Sequence, residues 1–101
     1  MPKAINTRYF AYKMFNGCTS LTIAPKLPAT QLTNYCYGYM FNDCISLNSI
    51  TCLATDISAT GCTQNWVSNV ASTGTFIKAD GVNSWTTGNS GIPDGWTIEN
   101  N

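Results

Sequence analysis

The sequence predicts an α/β solenoid whose coils each hold a short helix and a short strand. Three observations carry that expectation. The decamer Tyr12-Lys13-Met14-Phe15-Asn16-Gly17-Cys18-Thr19-Ser20-Leu21 returns as Gly38-Tyr39-Met40-Phe41-Asn42-Asp43-Cys44-Ile45-Ser46-Leu47, displaced by 26 positions. A period in this range marks units too small to bury their own apolar face, which must stack on a neighbour. The likeness runs on: Leu27-Pro28 falls on Met1-Pro2 and Tyr35 on Tyr9, while Ala29-Thr30-Gln31-Leu32 recurs as Ala54-Thr55-Asp56-Ile57 and Phe41 lands on Trp66. Third, helix-like and strand-like spacings alternate within each unit.

The helix is expected over residues 30–41, where Leu32, Tyr35, Cys36, Tyr39 and Met40 follow i, i+3, i+4, i+7, i+8 spacing. Thr30 is suited to cap it, and Asn42-Asp43, like Asn16-Gly17 one unit earlier, to the turn that ends it. Equivalent helices are expected near 4–15 and 59–70. Short extended stretches follow at 21–24 before Pro25, at 47–51 and at 74–78. Pro25 and Pro28 cannot donate ladder hydrogen bonds, so these strands must be short. Stacking then sets strand beside strand in a narrow parallel sheet, with helices on the other wall. The coils fall near 1–26, 27–52 and 53–78, and a capping segment near 79–101 completes a single repeat domain.

The repeated side chains take core roles in this scheme. Met14 and Met40, Phe15, Phe41 and Trp66, and Leu21 and Leu47 are expected to line one shared interior as ladders of like groups.

Composition narrows function. The chain has 101 residues, 44% of them hydrophobic and only 10% charged, with five basic side chains balancing five acidic ones. A neutral chain lacks the basic footprint that phosphates or an anionic membrane require, which argues against a nucleic-acid partner. No run approaches the roughly 18 apolar residues of a membrane span, and residues 1–8 lack the apolar stretch of a secretory leader. Membrane insertion is therefore not expected. Met1 stands where a residue like Leu27 belongs. The chain reads either as a segment of a longer array or as a short member whose first coil is open to self-association.

Catalysis finds little support. There is no histidine to serve as a general base, and Asp43, Asp56, Asp80, Asp94 and Glu99 show no motif that pairs them. The glycines between 74 and 95 have the wrong flanks for a phosphate-cradling loop. An enzyme is not expected, and no cofactor is implied. Of the five cysteines, Cys18 and Cys44 are repeat equivalents, while Cys36, Cys52 and Cys62 are scattered. Without a CxxC pair or a histidine, zinc would need four thiolates lacking the usual close spacing. The cysteines read as small core residues or as disulfide partners, with Cys36 and Cys62 the pair best placed to join.

Two readings of a binding site remain open. On the strand face, Thr22, Ala24, Asn48, Thr51 and Thr75 are expected to point outward, suited to an extended partner. In the tail, Trp85 and Trp96 either cap the stack or offer stacking faces to a sugar ring or a protein.

The units Met14-Phe15-Asn16-Gly17-Cys18-Thr19-Ser20-Leu21, Ala24-Pro25-Lys26-Leu27-Pro28-Ala29-Thr30 and Tyr39-Met40-Phe41-Asn42-Asp43-Cys44 resemble the BspA-like class of bacterial leucine-rich repeats. So does the ending, Gly74-Thr75-Phe76-Ile77-Lys78 with Gly91-Ile92-Pro93-Asp94-Gly95-Trp96-Thr97-Ile98. The resemblance implies a right-handed leucine-rich-repeat-like solenoid. It also implies adhesion or protein binding at a cell surface, in a secreted protein or on a phage particle, with a protein or glycan ligand on a host or neighbouring cell. A structural role, as a spacer or a unit stacking end to end, is the alternative.

Overall fold

Residues 1–101, described here in a computed structural model, contain no helix. In place of the helices expected near 4–15, 30–41 and 59–70 stand runs of overlapping turns at 8–17, 34–43 and 60–69, with a period of four. In the first run, the amides of Tyr12, Met14, Asn16 and Cys18 donate to the carbonyls three residues back at 3.0–3.2 Å. The alternate amides leave the segment altogether. Those of Tyr9, Ala11, Lys13, Phe15 and Gly17 donate to Asn34, Cys36, Gly38, Met40 and Asn42 in the second run at 2.7–3.1 Å. Tyr35, Tyr37, Tyr39, Phe41 and Asp43 donate onward to Thr60, Cys62, Gln64, Trp66 and Ser68 at 2.8–2.9 Å.

An α-helix needs every amide for its own ladder. Here half of them serve the next layer, and every second turn carries a left-handed residue at its third position. These residues recur every four positions: Tyr9, Lys13 and Gly17, then Tyr35, Tyr39 and Asp43, then Gly61, Asn65 and Asn69. A positive φ at the third position is what a type II turn demands. The second and third runs are also poor in strong helix formers, with Met40 and Gln64 alone among them, whereas the first holds Arg8, Ala11, Lys13 and Met14 and turns all the same. The buried set confirms the period: Cys36, Tyr37, Met40, Phe41 and Cys44 lie inside, whereas Tyr35 and Tyr39, counted as part of a helical stripe, are only partly buried.

Extended structure is likewise briefer than the spacing predicts. Strand β1 (Ser49–Cys52), β2 (Thr75–Lys78) and β3 (Thr97–Asn100) form one parallel sheet in the order β1-β2-β3. Ser49 lies beside Thr75 and Thr75 beside Thr97. The stretch at 21–24 makes only isolated parallel bridges, Ile23 to Ser49 and, beyond Pro25, Leu27 to Cys52. The α/β solenoid with right-handed leucine-rich-repeat-like coils is thus overturned. The protein is a small globule with extents of 30 × 27 × 20 Å, and its regular elements are three short parallel strands.

Its core sits between the turn runs and the sheet. Leu27, Met40, Phe41, Leu47, Ile50, Trp66 and Phe76 are fully buried. Phe15 stacks on Phe41 with ring centres 5.8 Å apart, Phe41 meets Trp66 at 5.9 Å, and Trp66 stacks on Trp85 at 5.7 Å. Met14 departs from its expected core place: 47% exposed, it lies in the outermost layer with nothing stacked on it, whereas its counterpart Met40 is covered. Leu21, also in that layer, is only partly buried. Polar side chains bridge layers at the rim. Asn42 donates to Asn16 Oδ1 at 2.9 Å, and Asn69 donates to Asp43 Oδ1 at 2.7 Å.

Candidate functional site: the outer sheet face and the tail

The strand pleat sends successive side chains to opposite faces. Ile50 and Phe76 point inward and are fully buried, which sends Ser49, Thr51, Thr75 and Ile77 outward. Two rows therefore cross the outer face, Ser49-Thr75-Thr97 and Thr51-Ile77-Glu99. Ile23, 66% exposed, extends the first row beside Ser49. The surface is small, mostly polar and without a pocket.

Of the residues singled out from sequence, Thr51 and Thr75 lie on this face, both partly buried. Thr22 and Asn48 are exposed just before the strands, tied by the Asn48 amide donating to the Thr22 carbonyl at 2.9 Å. Ala24 does not point outward; it is buried in the core. Ser49, Ile77, Thr97 and Glu99 complete the face and were not singled out. The signal that identifies Ser49 is its displacement by the 26-residue period from Thr75.

The two tail tryptophans are held by the fold. Trp96 is buried, its indole N–H donates to the Ala71 carbonyl at 2.7 Å, and its ring fills the space a side chain on Gly74 would need. Trp85 lies with one face on Trp66 and its edge toward Phe76 at 5.1 Å. Its Nε1 is buried without a hydrogen-bond partner. Around them the tail closes over the third turn run. Asn89 accepts from the Val67 amide at 3.1 Å, Ser90 Oγ from the Asn65 amide at 3.0 Å, and the Gly91 carbonyl from the Trp66 indole at 2.8 Å.

All five cysteines are free thiols. Cys36 Sγ points at the Cys62 carbonyl at 3.9 Å, and Cys62 Sγ at the Ile57 carbonyl at 3.4 Å, so each thiol is directed at a backbone oxygen. Burial pushes the thiols of Cys36, Cys44 and Cys62 up, and that of Cys52 up to about 12. Burial also raises the Tyr37 phenol, and the neighbouring thiols of Cys52, Cys36 and Cys62 add to the effect. A thiol held protonated is a poor nucleophile and a poor metal ligand. No three Cys, Asp or Glu side chains converge to hold a metal ion. No helix is long and apolar enough to cross a membrane.

Comparison with protein-family models, with curated proteins and with solved structures found no match to this chain.

Proposed function

We propose that this protein is a non-catalytic recognition module of a cell-surface or secreted protein, and that it binds an extended polypeptide across the outer face of its sheet. The observation that supports the reading is the pair of rows Ser49-Thr75-Thr97 and Thr51-Ile77-Glu99. They present hydroxyls, one apolar side chain and one carboxylate at strand spacing, on a flat surface suited to a chain lying over it. Such a partner finds side-chain hydrogen bonds and one apolar contact along its length, at the two-residue spacing of an extended chain. Trp96 takes no part in this reading, because its ring and its N–H are already engaged.

Selection of binders from a displayed random-peptide library tests it. Peptides that hold the wild type should lose binding at least about tenfold to Thr51→Arg and to Thr75→Arg, each of which sets a bulky cation in one of the rows. Binders that ignore both substitutions, with the folded state intact by thermal unfolding, would place recognition elsewhere. Glycan arrays probed in parallel distinguish a sugar ligand. An alternative reading, a structural module that associates end to end, draws on different residues.

A further inference from the structure

Each turn run gives amides toward the C-terminal side and carbonyls toward the N-terminal side, so the two ends of the molecule are chemically unlike. At the N-terminal end, the carbonyls of Arg8, Phe10, Tyr12, Met14 and Asn16 have no partner within the protein, although their counterparts from Asn34 to Asn42 all accept. Tyr9 and Met14 stand about half exposed around them. This end is a row of acceptors on an apolar ground.

The opposite end presents donors. The tail takes up the amides of Asn65 and Val67, but those of Gly61, Asn69 and Asn89 donate to nothing within the protein. β3 is paired on one side only. Ile98, in register with the buried Phe76 and Ile50, is therefore left 46% exposed.

Charge divides the same way. Residues 1–26 carry Lys3, Arg8, Lys13 and Lys26 and no carboxylate, whereas residues 79–101 carry Asp80, Asp94 and Glu99, with Lys78, bonded to Asn100 Oδ1 at 2.8 Å, the one cation beside them. The neutral total conceals a molecule with one basic end and one acidic end.

We propose that the N-terminal end of one copy docks on the C-terminal end of a second copy of this chain, head to tail. In that arrangement acceptors meet donors, cations meet carboxylates, and the free edge of β3 meets the stretch at Ile23 in the parallel sense every strand already follows. The head-to-head alternative sets carbonyl against carbonyl and cation against cation. A head-to-tail contact leaves a free end on each side, so it propagates into open chains of copies rather than closing at a dimer. The inference goes beyond the outer-face reading, and its test uses Arg8 and Asp94, which lie off that face.

Sedimentation velocity and light scattering on the 101-residue chain test it. The weight-average mass should rise from 11.0 kDa with concentration, pass two copies without a plateau, and fall back as salt goes from about 0.05 to about 0.5 M. Arg8→Glu alone and Asp94→Lys alone, both at exposed positions, should each raise the concentration needed for growth about tenfold. An equimolar mixture of the two should recover it, because each altered end then meets a partner of opposite charge. A mass fixed at 11.0 kDa at every concentration and salt, with the protein folded by circular dichroism, would overturn the proposal. So would growth that stops at two copies, or growth that neither variant changes.

Discussion

Phe41 is enclosed on both sides, stacked on Phe15 at 5.8 Å and tilted against Trp66 at 5.9 Å, with no exposed surface. Removing its ring opens a cavity that three layers line. Phe41→Ala should cost about 3–5 kcal/mol, read as a lower urea midpoint at unchanged slope. The same side chain at the margin is worth less: Phe15 is only partly buried, so Phe15→Ala should cost clearly less in the same experiment. The cysteines differ by position in a comparable way. Cys18 is exposed, while its repeat equivalent Cys44 is buried with Sγ directed at the Phe15 carbonyl at 3.0 Å. Iodoacetamide applied to the native protein should therefore label Cys18 alone, and mass spectrometry should find the other four only after unfolding.

The turn run is the element on which the fold depends, and its tolerance is set by the left-handed positions. Gly61 (φ +59) lies under the Tyr35 ring, whose atoms occupy the place of a β-carbon, whereas Gly17 (φ +77) has open space there. Gly61→Ala should destabilise by about 1–3 kcal/mol through strain and displacement of Tyr35. Gly17→Asn, which installs the residue found at the equivalent Asn69, should stay within about 0.5 kcal/mol, both measured by thermal unfolding. These elements were only half legible in the sequence. The repeat set which residues face one another, since the copy of Tyr9 is Tyr35 and their rings do stack at 5.0 Å. It did not set the local conformation, because Leu32, Cys36 and Met40 satisfy a period of 3.6 and a period of four equally well over so short a run. What separates the two is the destination of the amides, and that depends on the neighbouring layer rather than on the run itself. The outer face was legible at Thr51 and Thr75, which lie in continuous strands where alternation holds, whereas Ala24 was misplaced because Pro25 breaks the stretch and alternation counted along residues 22–24 loses its phase.

Taken whole, the molecule has a core sheltering four thiols and a phenol, all held protonated. Their folded values lie above their unfolded ones, so their contribution to stability is fully present below the ordinary thiol value of 9.0 and is lost as pH rises toward about 12. In that window the unfolded chain has released protons that the folded chain still holds, which draws the equilibrium toward unfolding. Urea titrations at pH 7, 9 and 10.5 should show a modest loss across the first step, where the unfolded thiols begin to ionise, and a larger one across the second. A kinetic consequence follows from the interlayer bonds. Tyr9 reaches Asn34 and Tyr35 reaches Thr60, so the links that join one layer to the next connect positions about a quarter of the chain apart. The entropy of closing such long loops must be spent before any reward arrives, and no single layer is a viable nucleus. Refolding after rapid dilution from denaturant should accordingly take milliseconds to seconds, far slower than helical chains of this length.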